Sequence, residues 1–558
     1  MADRIRIIFL PVIFFISFFS QAQTGTKFRV DFSDKNNSPF SVSQPDEFLS
    51  TRAIDRRTQF NIPVTEQDLP VNPSYLSSIK STGAIILTKS KWFNSCVVEV
   101  SDSNIIDSIL QFPFVINTTK VARICKPVMD EKSEINHAAE RITISPISSD
   151  SSYYGLAFNQ INMIKGQYLH LLGYQGEGIL IAVLDAGFNN TNVLDAFAEL
   201  YAENRIIATR DFVDGDEDVY IGSNHGTSVL STIALNLPGT MVGTAPDADF
   251  ILLRTEYGPS ELIIEEENWI AGAEFADSMG ADLLTTSLGY TTYDDSTMSH
   301  TISELDGNTI RITRGADVAA SKGMIVVNSA GNEGDSTNST WIKISAPADG
   351  DSVFTIGAVR PNGDYATFSG KGPSADGRVK PNVVAQGQDA VLLFASGVIG
   401  DADGTSFSGP IIAGMIACLR QAVPDKSNIE LYHAVENCAS VHDNPNDSIG
   451  YGIPDFYCAL KYLTNDAPTA FDNAATAILF PNPFHDKLIL FIKPDADDIF
   501  FVEMFDLAGR KIFESLHEVK AGNYYRFELE GMNTLANGSY IVRLTGDSVN
   551  LVKKVVKM

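Results

Sequence analysis

Between residues 153 and 463 the chain alternates short, almost wholly apolar runs with longer helical stretches. The runs are Ile179-Leu180-Ile181-Ala182-Val183-Leu184, Phe250-Ile251-Leu252-Leu253, Leu283-Leu284-Thr285-Thr286, Met324-Ile325-Val326-Val327 and Val353-Phe354-Thr355-Ile356. A strand covered by helices on both faces needs this unbroken apolarity, because neither set of alternate side chains meets water. Residues 268–279 and 316–322 read as helices between the runs. The alternation predicts an α/β domain with a doubly wound, mostly parallel sheet, whose ligands gather at the carboxyl ends of the strands.

The flanks carry other patterns. Alternation in Phe28-Arg29-Val30-Asp31-Phe32 and the runs 84–87 and 96–100 predict strands, and 73–80 and 103–110 predict helices. Residues 23–125 therefore read as a small α+β unit. The polar segments 126–152 and 464–477 read as linkers. From 478 to 558, strand patterns at 488–491, 500–504, 524–529 and 540–544 are punctuated by Pro481-Asn482-Pro483, Ala508-Gly509 and Asn537-Gly538. That spacing predicts a small β-sandwich. At the other end, Arg4 and Arg6 precede an apolar run over 7–19 and the small residues of Ser20-Gln21-Ala22. The run is too short to span a bilayer, so residues 1–22 read as a cleaved signal peptide and the protein as exported.

Composition narrows the function. A chain of 558 residues exceeds a single core, and its formal charge of −28 excludes nucleic acid as a partner, since phosphate binding needs clustered lysine and arginine. The five cysteines leave at least one unpaired. Export permits a bridge between Cys438 and Cys458 or between Cys96 and Cys125, while Cys418 sits in an apolar helical run and reads as a small buried hydrophobe.

Four stretches carry candidate chemistry. Ser406 lies among small residues in Gly404-Thr405-Ser406-Phe407-Ser408-Gly409-Pro410, ahead of a buried helical run at 411–419. Small neighbours admit a backbone, and unpaired N–H groups at a helix start favour an anion beside the hydroxyl. Asp185 follows directly on an apolar strand. His225 opens the run Asn224-His225-Gly226-Thr227-Ser228, and Asn332 stands in Ser329-Ala330-Gly331-Asn332 after another strand. Singly these are a helix cap, a loop cap, a satisfied core histidine and a tight turn. Together they supply a nucleophile, Ser406; a base, His225; an acid that orients it, Asp185; and an oxyanion donor, Asn332. Ser287-Leu288-Gly289 also ends a strand, where an extended peptide could add to the sheet.

The segment from 153 to 463 resembles the subtilase family of serine endopeptidases, through Asp185-Ala186-Gly187, His225-Gly226-Thr227, Ser329-Ala330-Gly331-Asn332 and the stretch around Ser406. The order Asp, His, Ser is that of subtilisin and not that of chymotrypsin or the α/β-hydrolases. The resemblance implies peptide-bond hydrolysis with the roles just given, and a substrate strand between Ser287, Leu288 and Gly289 on one side and Ser329, Ala330 and Gly331 on the other. Ala186, Phe407 and Gln386 depart from the residues common at their positions. Residues 24–125, with Ser50-Thr51-Arg52-Ala53 and Lys91-Trp92-Phe93-Asn94-Ser95, resemble the pro-regions of Bacteroidetes subtilases, which implies a zymogen. Residues 478–558, with Phe480-Pro481-Asn482-Pro483, Asp506-Leu507-Ala508-Gly509-Arg510 and Asn537-Gly538-Ser539-Tyr540, resemble the C-terminal sorting domain of the type IX secretion system. That implies passage through the periplasm to the cell surface or medium, with the secretion machinery as a partner. The resemblance further implies polypeptide substrates, a monomer and no cofactor for the chemistry. Calcium would be a structural ion only; Asp214, Asp216, Glu217 and Asp218 offer hard oxygen ligands, but they lack EF-hand spacing and read rather as a solvated acidic loop. The rival reading is a catalytically silent surface-binding protein on the same scaffold.

Overall fold

The computed structural model describes residues 25–123, 151–335, 341–464, 477–480, 482–521, 525–529 and 531–558. The expected signal peptide lies outside the described residues, as do most of both expected linkers; at the end of the first, Ser151–Tyr154 is a short helix.

The central sheet has seven strands: β1 (Leu180–Asp185), β2 (Ile206–Asp211), β3 (Asp249–Arg254), β4 (Leu283–Thr286), β5 (Ile325–Ser329), β6 (Phe354–Val359) and β7 (Val383–Gln386). They lie in the order β7-β6-β5-β4-β1-β3-β2, and every neighbouring pair is parallel. The flanking helices that matter below are α1 (His225–Ala234), α2 (Ile264–Met279), α3 (Arg311–Ser321) and α4 (Thr405–Ala422). Ile181 and Val183 enter one core with Val229, Leu230 and Ile233 of α1 and Ile411, Ile412 and Met415 of α4. Leu180, Ala182 and Leu184 enter the other with Trp269 and Ile270 of α2 and Ile312 and Ala316 of α3. Successive strand residues point to opposite faces, so two apolar layers explain the unbroken apolar runs.

Strand order reverses at β1, with β3 and β2 on one side and β4 to β7 on the other. A crevice opens at the carboxyl ends of strands where such a reversal occurs. Asp185 ends β1, Ser329 ends β5, and Ser287 follows β4 directly.

Two edge strands, β2 and β7, carry no strong apolar pattern and are not predicted. Both α2 and α3 begin earlier than their patterns suggest. In α2 the first turn is Glu265-Glu266-Glu267, polar in sequence yet favourable at the positive end of a helix dipole.

The N-terminal unit is a four-stranded antiparallel sheet in the order Ile85–Ser90, Ser95–Val100, Thr26–Phe32, Val115–Arg123, with helices Thr51–Gln59, Pro73–Ser81 and Asn104–Ile109. Helix Thr51–Gln59 is unannounced by apolar spacing; Ser50 caps it, its Oγ accepting the Ala53 N–H at 3.2 Å. The unit sits on α2, whose Glu267, Glu274 and Asp277 share one helical stripe. Glu274 accepts from Ser90 Oγ at 2.6 Å and from the Lys91 and Trp92 N–H groups at 2.7 and 3.0 Å. Asp277 accepts from Arg56 at 2.6 Å, Arg57 at 2.9 Å and Lys91 at 3.2 Å. Burial would raise the Asp277 carboxyl, but Lys91, Arg56 and Arg57 outweigh it and hold its pKa at about 2.

The C-terminal unit packs a three-stranded sheet (Ala477–Phe480, Leu488–Ile492, Tyr525–Leu529) against a four-stranded one (Lys511–Val519, Asp498–Asp506, Gly538–Thr545, Asn550–Lys557) around Leu490, Phe500, Val502 and Val542. This is the expected sandwich. Cys438 and Cys458 are bridged. Cys96 is a free thiol buried in its strand, so the alternative bridge to Cys125 is not made; Cys125 itself lies outside the described residues. Cys418 is buried, as expected. Among the described residues, no helix is long and apolar enough to cross a membrane.

Candidate active site

Asp185 is fully buried at the end of β1, where an ionised carboxylate needs partners. Its Oδ1 accepts the Ala186 N–H at 2.7 Å, and its two oxygens face His225 Nδ1 at 2.9 and 3.0 Å. Ala186, one of the departures from the family pattern, thus contributes through its backbone. His225 is the first residue of α1, and its side chain is 18% exposed. A Cβ on Gly226 would lie 2.4 Å from the Gly187 carbonyl. The glycine is there so that α1 can abut the loop after Asp185, which brings the imidazole to the carboxylate. Burial lowers the pKa of His225, but the charge and hydrogen bond of Asp185, with a smaller effect of Glu256, outweigh it, so the net shift is upward.

Ser406 is the second residue of α4, so its backbone N–H has no partner within the helix. Pro410 stands four residues on and has no N–H to give the Ser406 carbonyl. The Ser287 hydroxyl fills that gap, donating to Ser406 O at 2.8 Å. In return, Ser406 Oγ donates to the Ser287 carbonyl at 3.3 Å. The serine hydroxyl is therefore directed to Ser287 and not to His225, through a long bond. His225 stands beside this turn: its ring lies 6.1 Å from that of Phe407, which is buried. The two rings are tilted by 39° to one another.

Asn332 is exposed, and its amide has a fixed sense. Oδ1 accepts both the Thr405 N–H and the Thr405 hydroxyl at 2.9 Å, which leaves the NH2 group on the other side. Asn332 is thus a remote cap on the first residue of α4. Its own N–H donates to Glu333 Oε2 at 2.9 Å. Thr405 is the residue the sequence reading passed over: its position before the serine gave no hint that it would set the amide.

The two expected walls also meet here. Ser287 and Leu288 are buried and Gly289 is exposed, while Asn328 Nδ2 reaches both Leu288 O at 3.4 Å and Ser329 O at 2.6 Å. Segments 287–289 and 329–331 are therefore held side by side at the ends of β4 and β5. At Ala385-Gln386-Gly387, a Cβ on Gly387 would fall 2.8 Å from the Gly404 carbonyl, so glycine is needed where β7 meets the serine turn.

The proposed calcium ligands do not converge. Asp214 is paired with Arg254 at 2.6 Å, and Asp216 and Asp218 cap backbone N–H groups at 2.9 and 3.1 Å. Among the described residues, the carboxylates that do converge are Glu256, Glu261 and Glu265.

Three family descriptions match successive parts of the chain. The subtilase family profile (Peptidase S8) matches residues 176–452. A Bacteroidota peptidase S8 propeptide domain matches 27–138, and a secretion system C-terminal sorting domain matches 478–558. A sorting domain of that kind places the chain outside the cell or on its surface. The chain is 29% identical to subtilisin E of Bacillus subtilis (strain 168) over 287 residues, 51% of this chain and 66% of that protein, just under two thirds of its length. It is 29% identical to a subtilisin of Bacillus pumilus over 283 residues, 50% of this chain and 90% of that protein. With subtilisin DY of Bacillus licheniformis the figures are 27% over 297 residues, 52% and 93%. The chain thus carries a subtilase-family domain between a Bacteroidota peptidase S8 propeptide domain and a secretion system C-terminal sorting domain.

Proposed function

We propose that the chain is an exported endopeptidase, made as a zymogen, that hydrolyses peptide bonds through Asp185, His225 and Ser406. The observation that carries this is the buried Asp185 carboxylate holding His225 Nδ1 with both oxygens beside the turn that presents Ser406. That contact fixes the tautomer, so Nε2 is free to accept a proton. The Ser406 hydroxyl attacks the substrate carbonyl as its proton passes to His225 Nε2. The imidazolium then protonates the leaving amine, and water repeats the sequence on the acyl-enzyme. The developing oxyanion is met by Asn332 Nδ2 and the Ser406 N–H. The substrate runs extended between Ser287-Leu288-Gly289 and Ser329-Ala330-Gly331.

A fluorophosphonate probe tests the reading against a silent binding protein on the same scaffold, because only an activated serine is labelled. Labelling of the mature protein that is lost in Ser406→Ala supports the proposal, and no labelling of either form defeats it. Asn332→Ala is expected to lower kcat by about 10²–10³ with KM nearly unchanged, since the donor engages charge that develops only in the transition state. Steady-state kinetics on one chromogenic peptide read both parameters.

Residues 23–125 would act as the inhibitory pro-region, anchored by the arginines around Asp277. In Asp277→Ala, Arg56 and Arg57 lose a buried counter-charge, a change that costs roughly 3–5 kcal/mol. The separate N-terminal unit should then bind the catalytic body at least about 100-fold more weakly by calorimetry. A carboxylate with a lowered pKa contributes above its ordinary value and loses that contribution as pH falls through the lowered one. Wild-type association should hold down to about pH 4 and weaken toward pH 2.

A further inference from the structure

We propose that Glu266, Tyr293 and His300 form a clasp that positions the substrate edge at 287–289, and that the clasp holds more tightly with His300 protonated. Its effect on catalysis rests on the peptidase reading; the clasp itself does not. The edge continues into Tyr290, whose N–H donates to Ala346 O at 2.9 Å and whose carbonyl accepts the Ala346 N–H at 3.2 Å. From there the chain runs out into a loop, 291–300, in which Tyr293 is the one buried residue and Asp294, Asp295, Ser296 and Thr297 are exposed. The His300 N–H closes the loop by donating to Thr291 O at 2.8 Å, and the Tyr293 N–H donates to Ser299 Oγ at 3.0 Å. An exposed loop closed on itself belongs to the low end of local stability unless something fastens it to the body.

Two side chains from opposite ends of the loop converge on one oxygen of the body. Glu266, in the first turn of α2, is 2% exposed, and its Oε1 accepts both the Tyr293 hydroxyl and His300 Nε2–H, the latter at 2.5 Å. Its other oxygen faces the Ile312 N–H in the first turn of α3 at 3.4 Å. A buried carboxylate is costly unless it is paired, and Glu266 takes its side-chain partners from this loop. The remaining anchors are slighter: Met298 rests on the layer of Trp269 and Ile270, and the Asp294 N–H donates to Glu261 O at 3.0 Å. The clasp therefore decides how firmly the loop, and the substrate edge joined to it, is held.

His300 is the member that titrates near neutral pH. Burial draws its pKa down, but the hydrogen bond and charge of Glu266, then the charges of Glu304 and Asp349, outweigh it, so the net shift from 6.5 is upward. Glu266 reaches the ring from α2, Glu304 from the turn Ile302–Glu304, Asp349 from the segment ahead of β6, and the Tyr293 hydroxyl from its own loop at 3.5 Å. These neighbours are carboxylates and a phenol, and all of them favour the imidazolium or leave it undisturbed. A neutral ring keeps the Nε2–H bond, but a charge-assisted bond to a carboxylate is about twice as strong as a neutral one. A raised histidine pKa contributes fully below the ordinary value and loses that contribution as pH rises through the folded one. The clasp slackens on the alkaline side, and the 287–289 segment with it.

The test has two arms. In the first, the full chain carrying Ser406→Ala is followed by hydrogen exchange at pH 6 and pH 9. Protection over 287–300, corrected for the intrinsic rate, is expected to fall about threefold or more between the two, while β6 keeps its protection. Adding His300→Gln, which retains an N–H donor without the charge, should give the lower protection at both pH values. In the second arm, KM of the secreted, mature protein for an extended chromogenic peptide should rise about threefold or more over the same range, and His300→Gln should hold KM at its high-pH value throughout. A merely structural role would lower Tm without removing the pH dependence of KM. A chain that shows the exchange change yet takes no fluorophosphonate label keeps the clasp and loses the peptidase reading. The proposal is overturned by unchanged protection at 287–300, by a pH dependence that survives His300→Gln, or by a KM that is flat with pH in a protein that labels and hydrolyses.

Discussion

Ser406→Ala is expected to lower kcat on a peptide amide by about 10⁶ while KM stays within a few-fold, the scale measured for subtilisin and not a quantity read from this structure. The change removes the only atom that would form the covalent bond. The cleft walls at 287–289 and 329–331, the His225–Asp185 pair and the Asn332 amide all remain, so substrate should bind almost as before. A residual rate of about 10³–10⁴ over water is expected from those groups alone. The fold should hardly notice: the hydroxyl makes one bond of 3.3 Å to Ser287 O, worth about 1 kcal/mol or less. Kinetics on a chromogenic peptide and a thermal melt check the two halves of the prediction. Undiminished hydrolysis would remove Ser406 from the mechanism.

Asp185→Asn should reduce kcat by about 10⁴ with the geometry retained. The amide can offer Nδ2–H where the carboxylate offered only acceptors, and that presents the wrong tautomer of His225 to the serine. The pH profile should change as well. With Asp185 present, the pKa of His225 stands above its ordinary value of 6.5, despite the burial that pulls it down. Because the base must be neutral, kcat/KM should climb through a midpoint above 6.5. Without the negative charge, burial prevails and the midpoint should move below that value. Stability follows the same linkage with its own sign. A raised histidine pKa stabilises the fold fully below the unfolded value and loses that contribution as pH rises through the folded one. The wild type should therefore lose stability across that window, and Asp185→Asn should be flatter there. Identical pH profiles would show that Asp185 does not act on His225.

Much of this was legible in the residues, for physical reasons. The strands β1, β3, β4, β5 and β6 are buried on both faces, and burial of that kind leaves no alternative to apolar side chains. The edge strands β2 and β7 are short and meet fewer constraints, so Ile206–Asp211 and Val383–Gln386 carry little signal. The four chemical stretches could be read because each sits at a strand end or helix start with glycine beside it. Other parts could not be read because they depend on elements distant in sequence. Nothing in Thr405 announces that it grips the Asn332 amide, 73 positions away. Acidity in the 214–218 loop drew attention by its density, yet Arg254 and the loop amides already engage Asp214, Asp216 and Asp218. Glu256, Glu261 and Glu265 are spread across a loop and a helix start, and only folding brings them together. The cysteines show the same limit: spacing left two bridges open, and the fold makes one.

The reciprocal bonds between Ser287 and Ser406 bear on motion as well as geometry. With Pro410 in its sixth position, α4 cannot complete its own opening turn, so that turn depends on a hydroxyl from the end of β4. The two segments should then open together, as one cooperative unit in amide hydrogen exchange, with similar protection and similar sensitivity to denaturant. A peptide pairing with Gly289 would therefore slow exchange at the start of α4 as well, so occupancy of the cleft could be followed from the helix that carries the nucleophile.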